Sequence, residues 1–283
     1  MPGIPRRINA LELLVNRLIG YRTGRSFAPG VGGTLRLTHD AGFFSICSTA
    51  LYEIAKASCE IQAVDASSIF RAFKKSPTKD LWPDIFAPPG VVDQAQSFQI
   101  ARSRVAHRLP HHSLYRFIDF TITNALVRTF FAPSQRITTR MERLATDYSL
   151  DPSKLIAVWC RRTDKATEVR QNTLTKYLKV TRKLARKYPT HQILLQTDDS
   201  HAQELFAKEF GQRVTWFAEL STTASATVMH KLVAVAERED FGANLVAATI
   251  LLSRAAHVVT YTGNIGYWIA LYRGHTKGLI QLR

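Results

Sequence analysis

With 283 residues, 46% of them hydrophobic and 21% charged, the chain can bury a substantial core as one large domain or two of ordinary size. No apolar run is long enough to cross a bilayer, and the opening MPGIPRRINALELLVNRLIG carries Glu12, Asn16 and Arg17 without a small-residue cleavage site, which argues against a signal peptide. Against 22 aspartates and glutamates stand 38 lysines and arginines, a net charge of +16 that predicts an anionic partner: nucleic acid, a membrane surface or a phosphorylated small molecule.

From Asn9 to Gly20, Leu11, Leu14, Val15 and Leu18 recur at helical spacing. A glycine-rich loop follows from Gly24 to Gly33, then a strand from Thr34 to Thr38, the turn His39 to Gly42 and a helix to about Ala57. Gly42 would let the backbone come close to a ligand beside free helix N–H groups, although one glycine serves an ordinary turn equally well. Ile61 to Val64 reads as a strand and Ala66 to Lys75 as a short helix, a βαβα order. Between Lys74 and Gln96, Pro77, Pro83, Pro88, Pro89 and Gly90 predict a long surface loop with Trp82 and Phe86 exposed, either a specificity loop or a linker. Helical patterns return over Ser97 to Val105, Leu114 to Phe131 and Ser134 to Tyr148. His111 and His112 have no Cys, Asp or Glu at ligand spacing and do not predict a metal. Cys47, Cys59 and Cys160 are widely spaced in apolar surroundings, which fits a reducing, cytoplasmic location without structural zinc.

Asp151, Pro152 and Ser153 mark a boundary, and the stretch behind it, LIAVWCRRTDK from Leu155 to Lys165, organises the rest of the chain. Its apolar half, without alternation, predicts a parallel strand covered on both faces. Arg161 and Arg162 then emerge at the strand's carboxyl end, where open α/β sheets bind ligands and where guanidinium forks can hold a diphosphate. A helix from Leu174 to Tyr188 follows, with Leu174, Tyr177, Val180 and Leu184 expected to face inward. Its other face carries Lys176, Lys179, Arg182, Lys183, Arg186 and Lys187, a basic surface that is either solvated or drawn to an acidic partner. Gln192 to Gln196 is the next strand and ends in Thr197, Asp198 and Asp199. A helix from Ser200 to Phe210, a strand from Val214 to Phe217 and helices from Val228 to Arg238 and Asn244 to Arg254 come next. The chain closes with strand His257 to Thr260, the turn Tyr261 to Asn264, helix Ile265 to Tyr272 and strand Leu279 to Leu282. This alternation predicts a doubly wound parallel sheet. Polar clusters at Arg161 to Lys165, Thr197 to Asp199 and Thr260 to Asn264 then share one edge, which makes a site of them rather than three solvated turns. The sequence contains no GxxxxGK[ST], no GxGxxG after a strand and no GxSxG, so neither a P-loop, a dinucleotide fold nor a serine hydrolase is supported.

The run VWCRRTDKATEV, a helix containing Tyr177, a strand ending in TDD, and LLSRAAHVV followed by TYTGN resemble, in order and spacing, the fucosyltransferase superfamily of core α1,6-fucosyltransferases and rhizobial nodulation fucosyltransferases. The likeness covers Leu155 to Gly274 and, in the N-terminal half, the segment AGFFSICSTALYEIAKA. It implies an α/β, GT-B fold of two Rossmann-like lobes facing a cleft, residues 1–150 on the acceptor side and 151–283 binding the donor. It also implies inverting transfer of fucose, or a related sugar, from a GDP-sugar co-substrate to a glycan or lipid-linked acceptor, with no metal and no other cofactor. By the same resemblance Arg161 and Arg162 hold the pyrophosphate, Arg162 being the more critical, and Asp164, Lys165 and Glu168 line the sugar and acceptor side, Glu168 as candidate base. Tyr177 would stack near the nucleotide, Asp198 and Asp199 would contact guanine or ribose, and Thr262 and Asn264 would serve the phosphates. The chain departs from the family pattern at Trp159, where histidine is usual, and at Ala248, where an acidic residue is common. Those departures keep open a degenerate member that binds nucleotide without turnover, and the net charge keeps open a nucleic-acid-binding protein, which ranks behind the transferase. The basic helix 174–188 is compatible with peripheral contact to a membrane-bound acceptor.

Overall fold

The computed structural model describes residues 27–29, 33–56, 61–89, 115–161, 173–220 and 233–282. The helices expected over Asn9 to Gly20 and Ser97 to Val105, the pair His111 and His112, and residues 228–232 of the helix expected from Val228 to Arg238 lie outside those residues, and the described end of that last segment is a 3-10 turn, Val235–Glu237. The chain divides into two compact units, residues 1–134 and 135–283.

In the first unit β1 (Phe27–Pro29), β2 (Thr34–Leu37) and β3 (Ala63–Asp65) form a sheet in that order, β1 antiparallel to β2 and β3 parallel to it. β1 falls inside the glycine-rich stretch expected to be loop. Helix α1 (Phe43–Lys56) connects β2 to β3 and begins just after Gly42, whose carbonyl accepts from Ser45 N. The helix expected over Ala66 to Lys75 is instead a short 3-10 turn, Arg71–Phe73. Local hydrogen bonding explains the difference: Asp65 Oδ1 takes the Ser67 N–H at 2.9 Å, and Ser68 Oγ donates back to Leu37 O at 2.8 Å. Phe70 then adopts a left-handed φ of 59°, which breaks helical continuity and seats its ring 4.7 Å from that of Phe43.

In the described part of the proline-rich stretch Pro77, Pro83 and Pro88 are exposed as expected, but the two aromatics are not. Trp82 and Phe86 are 4% and 1% exposed, their rings 4.6 Å apart and each 5.3 Å from Phe131. Helix α2 (Trp82–Ile85) takes Pro83 into its first turn, where a missing N–H costs nothing. Ser134 Oγ donates to Asp84 O at 2.6 Å and pins the segment beside the end of α3 (Phe120–Phe130), itself capped by Asp119 accepting from Thr121 N.

The second unit is built on a five-stranded parallel sheet of β4 (Leu155–Cys160), β5 (Gln192–Thr197), β6 (Val214–Thr215), β7 (His257–Tyr261) and β8 (Leu279–Leu282), in the spatial order β6-β5-β4-β7-β8. All six residues of β4 are buried, as the unbroken apolar run requires. Around the sheet lie α4 (Gln135–Asp147), α5 (Leu174–Lys187), α6 (Ser200–Phe210), α7 (Arg238–Arg254) and α8 (Asn264–Arg273). α4 precedes the boundary expected at residue 150 and belongs to this second unit. Its Arg140 donates to Asp240 at 2.8 Å and to Asn244 at 2.7 Å, both on α7, and Arg136 reaches Asp240 at 3.2 Å. Those pairs also explain why α7 begins well before Asn244: its charged first turn is matched by α4. On α5 the buried residues are Leu174, Tyr177, Thr181 and Ala185, while Val180 and Leu184 sit half-buried. The small side chains at 181 and 185 let the helix lie close to the sheet.

Two arginines close the helix ends. Arg213 donates to the carbonyls of Ala185, in the last turn of α5, and of Tyr188 and His191 beyond it, and Arg273 to those of Ser253, in the last turn of α7, of Ala255 and Ala256 beyond it, and of Lys277 after α8. Carbonyls in the last turn of a helix and just beyond it lack intrahelical donors, and the guanidinium groups supply them. We expect Arg273→Met to lower the unfolding free energy by about 3 kcal/mol, the scale of losing several charge-assisted bonds at a half-buried position. Urea unfolding followed by circular dichroism checks this, and an unshifted midpoint would contradict it.

Candidate functional site

Counted along the chain, the sheet starts at β4, grows outward through β5 to β6, then returns to the other side of β4 with β7 and continues to β8. Strand order therefore reverses between β4 and β7. The loops leaving those two strands diverge, and the crevice between them at the carboxyl edge is where doubly wound sheets bind ligands. The three polar strand ends anticipated from the sequence belong to the three central strands β5, β4 and β7, so they do share that edge.

Arg161 leaves β4 with its side chain 22% exposed and its Nε 3.6 Å from Asp198 Oδ2, which follows β5 and is 11% exposed. The carboxylate anchors the guanidinium at the mouth of the crevice. Asp199 is committed to the backbone around it. Its Oδ1 accepts from His201 N at 3.0 Å and caps α6, while its own N–H donates to Thr197 Oγ1 at 3.1 Å. At the end of β7, Thr262 and an extended Gly263 lead directly into α8, whose first residue is Asn264. A Cβ on Gly263 would lie 2.5 Å from the Tyr261 ring, so this loop is drawn tight against its own tyrosine. The N–H groups of the first turn of α8 lack intrahelical acceptors and suit an anion.

Tyr177 does not reach the edge as a surface group. It is 1% exposed on the inner side of α5, and that helix packs on β4 and β7, so its evident contribution is packing. Arg162, Asp164, Lys165 and Glu168 lie outside the described residues.

The sheet also carries a feature that the sequence does not announce. Trp159 pairs in register with Gln196, and Thr260 with Gln281, while the preceding pair Val158 and Val259 makes Trp159 and Thr260 neighbours. A polar row thus crosses β5, β4, β7 and β8 one residue below the carboxyl edge. Trp159 Nε1, Gln196 Oε1 and Thr260 Oγ1 are buried without a hydrogen-bond partner among the described residues. The signal was available in principle, since residues in register on neighbouring parallel strands point to one face, but register is not written in any single strand. Tyr267 on α8 is fully buried, and burial raises its phenol pKa well above the ordinary value, so it stays protonated near neutrality. Among the described residues no group of three or more His, Cys, Asp or Glu could hold a metal ion, and no helix is long and apolar enough to cross a membrane.

No protein-family model and no curated protein sequence matches the chain. Solved structures do. A NodZ α-1,6-fucosyltransferase co-crystallised with GDP superposes with a TM-score of 0.54 at 13% identity, over 83% of this chain and 90% of the other. The fucosyltransferase NodZ from Bradyrhizobium gives 0.53 at 13% identity, with the same coverage. A NodZ crystal soaked with GDP-fucose gives 0.53 at 14% identity, over 84% and 91%. The chain has the GT-B fold of these fucosyltransferases. The expected α/β class therefore holds across most of the chain, the likeness extending well beyond Leu155 to Gly274.

The capping geometry makes a specific expectation for Asp199. Asp199→Ala should cost about 1 kcal/mol of stability, while Asp199→Asn, which keeps the cap, should cost much less. Equal losses in urea unfolding would show that the cap is not what the carboxylate contributes.

Proposed function

We propose that the chain is a GDP-sugar-dependent glycosyltransferase that moves fucose, or a closely related sugar, onto a glycan or lipid-linked acceptor with inversion and without a metal. The observation that carries this reading is the meeting of three polar strand ends at the strand-order reversal of a sheet whose fold is that of NodZ fucosyltransferases, two of them studied with GDP or GDP-fucose. In this reading residues 151–283 hold the donor and residues 1–150 supply the acceptor side. Arg161 and Arg162 take the diphosphate, assisted by Thr262, Asn264 and the first turn of α8. Asp198 serves the nucleoside from its position beside Arg161, and Asp199 does so as far as its cap allows. Asp164 and Lys165 face the sugar.

The chemistry asks little covalent work of the protein. An acceptor hydroxyl attacks the anomeric carbon from the face opposite the leaving diphosphate, its proton passes to a carboxylate for which Glu168 is the candidate, and GDP departs with both electrons of the C–O bond. Charge grows on the β-phosphate as that bond breaks. Preorganised guanidinium groups and helix N–H groups stabilise it more than they stabilise the bound sugar nucleotide, which is the condition for catalysis.

Calorimetric titration with GDP, GMP and UDP in the presence of a chelator tests the reading. GDP should bind in preference to UDP, and Arg162→Ala should cost about 2 kcal/mol of binding, the scale of a lost charge-assisted phosphate contact. Absence of GDP heat, with a DNA duplex binding instead in a salt-sensitive way, would overturn it. GDP binding without sugar transfer would single out the inactive form of the same fold.

A peripheral contact is proposed for α5. The helix contains no acidic residue, and Lys176, Lys179, Lys183, Arg186 and Lys187 are exposed along one side of it, whereas Arg182 is engaged by Glu209 at 2.6 Å. Such a stripe attracts an anionic bilayer, and salt weakens the attraction. Co-sedimentation should be retained with phosphatidylserine vesicles, lost with phosphatidylcholine ones, and reduced when Lys179, Lys183 and Arg186 are replaced by Gln. Equal sedimentation of the triple variant would refute the role.

A further inference from the structure

We infer that Gln281, on the edge strand β8, is a positioning residue that sets the Thr262 hydroxyl as a hydrogen-bond donor to a phosphate of the nucleotide; the inference rests on the donor-site reading above. Gln281 Nε2 donates to Thr262 Oγ1 at 2.8 Å across the β7–β8 pair. A threonine hydroxyl owns one hydrogen and can accept on its oxygen. With an amide N–H already on that oxygen, the hydroxyl hydrogen is directed elsewhere. Gln281 is the only partner of Thr262 among the described residues.

Three features direct that hydrogen to the crevice. Thr262 is only half-buried, one residue from the tight Gly263 and two from the first residue of α8, so an acceptor in that position also lies at the N-terminal end of that helix. Thr260, two residues earlier on the same face, is fully buried, and its own hydroxyl lacks a partner among the described residues. The pairing of Thr260 with Gln281 keeps the amide in line between the two threonines. An N–H···O–H···acceptor chain is polarised along its length, so the amide also makes the hydroxyl a better donor. This gives a polar side chain on an edge strand a role that neither packing nor sheet pairing requires.

Glutamate at this position would invert the arrangement: its carboxylate would accept the hydroxyl hydrogen and add a negative charge near the phosphates. The test is calorimetric titration of GDP into the full chain and into the variants Q281M, Q281E, T262V and Q281M/T262V, each checked for folding by thermal unfolding. Loss of one neutral hydrogen bond predicts that Q281M weakens GDP binding about three- to tenfold. Q281E should weaken it further, and Q281M should add nothing in the T262V background. If wild type binds GDP and Q281M does not alter its affinity, or weakens it equally with and without the threonine hydroxyl, the positioning role is wrong while the donor site stands. Q281E, close in shape to the native side chain, reads the charge inversion even if Q281M fails to fold, and unchanged GDP affinity in a folded Q281E would also overturn the role. If wild type binds no GDP, the donor-site reading fails and this inference falls with it.

Discussion

The strand β4 has neither a face nor an edge open to water: its six residues are all buried, and it is hydrogen-bonded to β5 on one side and β7 on the other. That constraint organises the second unit. A fully enclosed parallel strand needs neighbours on both sides, and a chain that builds outward on one side must cross back to build the other. The reversal opens a crevice where the β4 and β7 loops part, and Arg161 stands at its lip because it is the first residue beyond the last buried one. Site and core are consequences of one topological step.

The same topology accounts for part of the positive charge. Helices that return the chain beneath a parallel sheet end at its amino edge with carbonyls to satisfy, and Arg213 and Arg273 meet that need from within the unit. Arg136 and Arg140 are held by Asp240 and Asn244 between α4 and α7. These cations are structural. The positions of these cations are thus set by the fold, whereas the exposed stripe on α5 is, among the described residues, a part of the +16 charge placed on the surface.

Much of the parallel sheet was legible in the chain, since LIAVWC, QILLQ and HVVT are apolar runs bounded by polar turns, and their ends carried Arg161, Asp198 and Thr262 to one edge as anticipated. What escaped depended on distant partners. Trp82 and Phe86 sit among prolines that suggest exposure, but they pack on each other and on Phe131, far away in sequence. Ala66 to Lys75 has helical spacing, but Asp65 and the left-handed Phe70 divert the backbone. Gln281 is, by pattern alone, the polar member of an ordinary edge strand, and only its register brings it to Thr262. Local pattern gives each element its type, whereas side-chain partnerships depend on register between strands far apart in sequence.

The Arg161–Asp198 pair bears on how such a site can bind a diphosphate. A guanidinium held 3.6 Å from a carboxylate contributes little net charge at long range, so attraction of a dianion from solution cannot come mainly from Arg161. Its contribution is short-ranged: the neighbouring carboxylate keeps the guanidinium near the mouth of the crevice, so a ligand would meet it at a lower entropic cost than freezing a free arginine. In the proposed site, long-range attraction would then fall to Arg162, Lys165 and the α8 terminus, with Arg161 acting after arrival. That division has a thermodynamic consequence. Salt should weaken binding through Arg162 and Lys165 more than through Arg161, whose charge is already compensated by Asp198.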